Sequence, residues 1–188
     1  MRYEKGRKDA SRGRIMEVAA ERFRSDGIAA SGLATIMSDA GLTNGAFYPH
    51  FQSKAELVRE SVAAALDTQS QQMQELLASG GPEMAIGAYL SAAHRDNPDK
   101  GCASAALLPE IARQPPETRQ VYTERFLSLV SQVSATLPPG KDPEGVALGV
   151  FATLIGALQL ARAVEGTELS DRILSAGADA ARTLIQQR

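Results

Sequence analysis

The sequence predicts an all-α chain of about nine helices, a small N-terminal three-helix unit followed by a larger helical body. Three observations carry this. Ala and Leu dominate, Trp is absent and aromatic residues make up only 5%, a balance that favours helices over sheets. Apolar residues recur at three- and four-residue spacing along most of the chain. Helix starts and stops are marked by Ser and Asp caps and by Gly and Pro breaks. At 188 residues the chain exceeds one average domain and can bury a sizeable core.

The elements follow in order. A first helix runs from about Ser11 to Ser25, with Ile15, Val18, Ala19 and Phe23 at helical spacing and Gly27 suited to its C-terminal turn. Two short helices, Leu33–Ala40 and Thr43–His50, are separated only by Gly41 and Leu42, a turn that needs a glycine. Ser53 and Glu56 form a capping box that opens a helix to about Ala78, roughly 37 Å long. Gly80-Gly81-Pro82 breaks it before a helix over about Glu83–Arg95, and Asn97-Pro98 precedes a short one over Cys102–Arg113. After Pro115-Pro116, the residues Tyr122, Phe126, Leu129, Val133 and Leu137 form one apolar stripe. Asp142-Pro143 supplies a cap and a first-turn proline for an apolar helix over 143–165, and the last helix spans about Ser170–Gln187.

The most informative segment is Gly32–Phe51, where Ile36, Leu42, Phe47 and Phe51 are spaced to face inward. Thr43 is placed to cap the second helix, and Asn44, Gly45 and Ala46 fill its first turn, the part that enters the major groove in a helix-turn-helix. The run AGLTNGAFYPHFQSKAEL resembles the signature of the TetR/AcrR family: a Gly-apolar-Thr turn, a Gly, an apolar-Tyr pair, a His-Phe pair and a Ser-Lys helix start in that order. The resemblance covers roughly residues 11–60. It implies a TetR-like fold, in which residues 1–53 form the helix-turn-helix DNA-binding domain and 54–188 a helical ligand-sensing and dimerisation domain. It further implies that Asn44, Gly45 and Ala46 face base edges while Thr43, Tyr48, His50 and Lys54 hold phosphates.

The chemistry agrees with those roles. Asn can pair bidentately with adenine, Gly permits close backbone approach and an Ala methyl can meet a thymine methyl. A hydroxyl, a phenol, an imidazole and an ammonium at the rim set register on phosphates without reading sequence. Three positions depart from the family pattern: Gly32 replaces a capping Thr, Met37 a smaller residue, and Pro49 interrupts the recognition helix, removing a backbone hydrogen bond or bending its last turn.

Charge distribution points the same way. Residues 1–60 hold ten Lys/Arg against eight Asp/Glu, a net +2, which leaves −4 on the remaining 128 for the total of −2. The arm Arg2–Arg14 is suited to minor-groove contact, and by the ordinary behaviour of termini it reads more readily as a disordered, phosphate-screening tail. The single cysteine, Cys102, excludes an internal disulfide, and it reads as a small core residue in preference to an oxidant sensor because no second cysteine can resolve a sulfenic acid. The two histidines, His50 and His94, lie in different modules, so no metal site is expected. No signal segment opens the chain and the longest apolar stretch, Val146–Ala161, is polar-interrupted, which predicts a cytoplasmic protein with no membrane partner.

A catalytic reading finds no nucleophile-base pair, paired carboxylates, phosphate loop or cofactor fingerprint, so neither enzymatic activity nor a cofactor is expected. A helical interaction protein with a decayed DNA module would not need Tyr48, His50 and Lys54 together. The expectation is a regulator of transcription, a repressor that leaves a palindromic double-stranded DNA operator when a small-molecule effector binds. Stripe geometry places the effector among helices five to eight, lined by Tyr89, His94, Leu107, Tyr122, Phe126 and Gln159. Gly149, Ala152, Gly156 and Ala163 lie along one face of the 143–165 helix and, by the resemblance, form a homodimer interface. The helix Lys54–Ala78, which begins with a side chain on the DNA and ends in the body, is expected to transmit the signal by tilting.

Overall fold

A computed structural model describes the backbone of residues 2–140 and 142–186 and the side chains within that range except those of residues 2–5 and 7. Gln187, the end of the last expected helix, and the side chains of Arg2, Lys5 and Arg7 in the basic arm lie outside the described residues.

The described chain holds eight α-helices: α1 (Arg2–Asp26), α2 (Leu33–Asp39), α3 (Lys54–Tyr89), α4 (Ala92–Asp96), α5 (Ala103–Ile111), α6 (Pro116–Ser134), α7 (Pro143–Ala163) and α8 (Thr167–Gln186), with short 3₁₀ turns at Asn44–Ala46 and Pro98–Lys100. The all-helical expectation therefore holds, with five differences in detail. α1 begins at Arg2 and not at Ser11, because the intervening Arg, Lys and Glu residues favour helix and Gly6 alone is too weak a break. The helix expected over Glu83–Arg95 stops at Tyr89, where Ser91 starts the separate helix α4 by accepting the His94 N–H at 3.1 Å. Helix α3 runs through the expected break in one span, but Gly80 (φ −159°) and Gly81 (φ +65°) are non-helical and kink it there. The last helix opens three residues early, at Thr167.

The fifth difference falls on the recognition segment. Thr43–His50 is not an α-helix, and Thr43 makes no capping bond. Ala46 N–H donates to Thr43 O at 2.9 Å and Phe47 N–H to Asn44 O at 3.2 Å, the tighter i→i+3 pattern. Pro49 explains it: its nitrogen has no proton to donate to Gly45, and its ring disfavours α geometry at Tyr48. The turn before it is as expected, with Gly41 at φ +73°, a left-handed value that glycine adopts without strain.

The capping box at α3 is present in modified form. Ser53 Oγ accepts the Glu56 N–H at 3.1 Å, while the Glu56 carboxylate reaches one residue further back, accepting from Gln52 N–H at 2.7 Å. Asp142 caps α7 through Gly145 N–H at 2.8 Å, with Pro143 in the first turn as read from sequence.

Two buried clusters organise these helices. The larger joins Ile15, Val18 and Phe23 of α1, Ile36 and Met37 of α2, Phe47 and Phe51 of the recognition segment, and Leu57, Val62 and Leu66 of α3, continuing to Leu129 and Val133 of α6. The smaller packs α7 against α8 and the end of α3, through Leu154, Leu158, Leu174, Ala181 and Ile86. Each fully buried aliphatic or aromatic side chain contributes about 1.5–3 kcal/mol, so these stripes fix how the helices pack. Helix α7 is long and apolar enough to cross a bilayer by composition, yet Val150, Phe151, Leu154 and Leu158 are buried within the body.

Candidate nucleic-acid interface and interior cavity

Phe47 and Phe51 anchor the recognition segment. Both are 1% exposed and their rings stack at 5.6 Å, so the residues between and before them are driven to the surface. Thr43, Asn44 and Gly45 are exposed, and Tyr48 is 71% exposed with its ring edge-on to Phe47. Ala46 differs from the other two expected base-facing residues: it is half-buried and packs against the core.

His50 is half-buried, and its Nδ1 is buried with no hydrogen-bond partner. Burial, then the charges of Lys8 and Arg12, hold its imidazole below the ordinary histidine range, favouring the neutral form. Lys54 starts α3 and its Nζ donates to Ile28 O at 2.6 Å, which ties the loop after α1 to the recognition segment's exit. Arg12 was not anticipated as a member of this neighbourhood. Its guanidinium sits 4.5 Å over the Phe51 ring and pairs with Glu60, locking α1 to α3 behind the exposed residues.

Two further contacts join this head to the body, and neither was read from the sequence. The Glu110 carboxylate of α5 accepts the backbone N–H groups of Ile28 at 3.0 Å and Ala29 at 2.9 Å. Arg24 Nε of α1 donates to Asp99 O at 2.5 Å, and burial lowers the proton affinity of its guanidinium.

A cavity of about 640 Å³ lies between α1, α3 and the segment from His94 to Cys102. Met16, Ala20 and Arg24 form the α1 wall, with Ala65, Gln69, Met73 and Tyr89 opposite on α3. Of the six residues expected to line a ligand site, Tyr89 and His94 do so. The other four are placed elsewhere. Leu107 is 2% exposed within the larger core, Tyr122 stacks on Phe126 and shares a 3.0 Å hydrogen bond with Ser104, and Phe126 meets Phe151 edge-on. Gln159 Nε2 donates to Ala105 O at 2.8 Å. Large side chains on these helices fill the space they were expected to surround, and the void forms where small residues of α1 and α3 face each other.

His94 lines the cavity with both nitrogens occupied: Nδ1–H donates to Tyr89 O at 2.7 Å and Nε2 accepts the Cys102 N–H at 3.0 Å. Burial lowers its pKa, with the Arg162 charge acting in the same direction against the Tyr89 carbonyl, so the ring is neutral and serves as a clamp. Gly101 makes the clamp possible, because a Cβ there would fall 2.7 Å from His94 Nε2. Cys102 is buried, as the core reading expected. Among the described residues, no cluster of three or more His, Cys, Asp or Glu is arranged to hold a metal ion.

On α7, Ala152 and Ala163 are exposed, and a Cβ at Gly156 would meet nothing within 4 Å. Gly149 is turned differently, with Leu184 of α8 3.6 Å from such a Cβ. Leu148 and Leu160, 38% and 59% exposed, extend the uncovered stripe.

The model for bacterial regulatory proteins of the tetR family matches residues 15–61. Over 62 residues the chain is 37% identical to the HTH-type transcriptional repressor KstR2 of Mycobacterium tuberculosis, a match covering 33% of this chain and 31% of that repressor. The chain thus spans about a third of the length of the curated relatives it matches. The fold extends further than the sequence match. A TetR-family transcriptional regulator from Cytophaga hutchinsonii superposes with a TM-score of 0.79 at 18% identity, covering 97% of this chain and 98% of that one. The regulator FadR from Bacillus subtilis, in complex with stearoyl-CoA, gives a TM-score of 0.67 at 14% identity, covering 92% and 97%.

Proposed function

We propose that this chain, whose residues 15–61 match the tetR family and whose fold resembles that of its members, is a ligand-released transcriptional repressor working in the cytoplasm as a homodimer on a palindromic operator. The observation that carries the reading is the recognition segment itself: a polar, exposed run held on two buried phenylalanines immediately after a helix-turn. An enzyme has no use for that arrangement, and DNA does.

In this reading residues 1–53 read DNA and 54–188 sense and dimerise. Asn44 and Gly45 address base edges from the start of the 3₁₀ turn, with Ala46 closing the approach from the core side. Thr43, Tyr48, His50 and Lys54 hold phosphates, Lys54 exchanging its Ile28 carbonyl for a phosphate oxygen. The stripe Leu148, Ala152, Gly156, Leu160 and Ala163 meets its symmetry mate, with α8 completing a four-helix contact, and supplies the two half-site readers that a palindrome requires.

The test is fluorescence anisotropy of the purified chain on duplex DNA from upstream of its own gene, against a scrambled duplex, across a salt series. Specific binding whose logarithm falls linearly with log salt supports the reading. Equal affinity for both duplexes overturns it. A ligand that tightens DNA binding would make the protein a corepressor-dependent regulator.

A further inference from the structure

We propose that the cavity between α1 and α3 is the effector site, that its occupant is a neutral hydrophobic molecule bearing a hydroxyl group, and that it acts by spreading α1 from α3. The last clause rests on the DNA-binding reading above; the first two stand on the cavity alone.

The polar groups in the cavity define the occupant. The Tyr89 hydroxyl is buried without a hydrogen-bond partner on a residue only 7% exposed. Gln69 faces the same place: its Nε2 donates to Cys102 Sγ at 3.1 Å, and its Oε1 is buried and unpartnered. Tyr89 also neighbours that thiol, so Cys102 places the phenol and the Gln69 amide beside one another. A native interior leaves such groups unpaired where something else completes them. Gln69 Oε1 can only accept, and the phenol is free to donate. One hydroxyl answers both, donating to the amide oxygen and accepting from Tyr89. A carboxylate has no proton for Gln69, and a ketone has none either.

The charges around the cavity select against an ion. Glu17, Glu21 and Arg24 of α1, with Lys100 from the segment before α5, put two charges of each sign on its walls, and Arg24 Nε is already engaged by the Asp99 carbonyl. His94 is neutral with both nitrogens occupied. Beyond Thr68 and Gln72 the remaining walls are apolar, Met16 and Ala20 on one side and Ala65, Met73 and Leu76 on the other, and 640 Å³ lies within the range of small-molecule sites.

The position of the cavity supplies the coupling. α1 carries Ile15, Val18 and Phe23 into the core beneath the recognition segment, and its other face forms the cavity wall. An occupant therefore touches the reading head directly, in addition to α3, which was expected to be the one element spanning both sites. Displacing α1 also strains the Arg24 to Asp99 bond that ties the head to the segment before α5.

The experiment is calorimetric titration of the full chain, without DNA, with three probes of one shape: 4-phenylphenol, biphenyl and biphenyl-4-carboxylate. The phenol should bind at least about tenfold more tightly than either analogue, the worth of one well-made buried hydrogen bond. Tyr89→Phe and Gln69→Leu should each abolish that preference, while Ala20→Met and Ala65→Met, which fill the cavity from opposite walls, weaken all three probes. Tyr89→Phe removes an unpaired hydroxyl and should melt no lower than the parent, which keeps the test valid if a filling variant fails to fold. Equal affinity for phenol and biphenyl, tighter binding of the carboxylate, or unchanged binding in both filling variants would overturn the site. On upstream DNA, 4-phenylphenol should weaken binding in the parent and leave Tyr89→Phe unaffected at the same concentration. Probe binding without any change in DNA affinity overturns the spreading of α1 alone; loss of specific DNA binding in the absence of probe is a failure of the proposed function and leaves the calorimetric result standing.

Discussion

The recognition segment and the cavity treat polarity in opposite ways. In the segment, two buried phenylalanines fill the interior, and Thr43, Asn44 and Tyr48 are pushed outward. At the cavity, small residues leave the interior incomplete and two oxygens point inward with nothing to bind. A surface of the first kind suits a macromolecule too large to enter the protein, and an interior of the second kind suits a molecule small enough to be enclosed. The α1 helix belongs to both, one face packed beneath the segment and the other facing the void.

The comparison is broken most severely by emptying the filled side. Phe47→Ala should cost about 3–5 kcal/mol, lower the melting temperature and remove specific DNA binding, because no other side chain can occupy that volume. Retention of wild-type stability in a thermal melt would mean that the segment is not held by its core. On the other side the matching change is Gly101→Ala, whose methyl would meet the His94 ring at 2.7 Å and should cost about 1–3 kcal/mol. Probe binding should fall with it, since the clamp that places Cys102 is displaced.

Assembly comes next. Gly156→Arg, at a position with open space around it, should fold normally and yield monomers with weak operator affinity. Sedimentation showing an unchanged dimer would place the interface elsewhere. Smaller effects separate the outward-facing residues from one another: Asn44→Ala should change which sequences are bound, whereas Lys54→Ala should weaken all of them and lower the salt slope by about one. If both variants kept the parent's affinity and specificity, the division between reading and positioning would be wrong.

The smallest effect is a proton. His50 in the free protein lies below the ordinary histidine range, and a phosphate beside it favours the charged form. Its pKa is then higher in the complex than in the free protein, so DNA affinity should rise as pH falls through the bound value and level off below the free one. His50→Gln should flatten that slope, and an equal slope in both proteins would remove His50 from the phosphate contacts.

Legibility in the sequence tracked how local the determining interactions are. The helices, the Gly41 turn and the Ser53 and Asp142 caps depend on neighbours a few residues away and could be read directly. Pro49 was visible, but its consequence was larger than one lost hydrogen bond, since the segment is reduced to a short 3₁₀ turn over Asn44–Ala46 followed by non-helical turns. The cavity was missed because apolar stripes predict where side chains meet, and Tyr122, Phe126 and Leu107 meet so well that no space remains. The void arises from small residues on two helices that become neighbours only in the fold, and its sole sequence trace is their coincidence: Gly13 and Ala20 on α1, Ala64, Ala65 and Ala88 on α3.

Glu110 was also illegible, since its partner amide lies 82 residues away. One carboxylate gripping two successive backbone N–H groups is a hinge pin with two attachment points, and it denies the head free rotation about the body. In the homodimer proposed above, that stiffness would act as a ruler, with the distance between the recognition segments set by the protein and not adjusted to the DNA. That dimer should then reject operators whose half-sites carry an inserted base pair, and loosening the pin with Glu110→Gln should show up as tolerance of that wrong spacing before any loss of affinity for the right one.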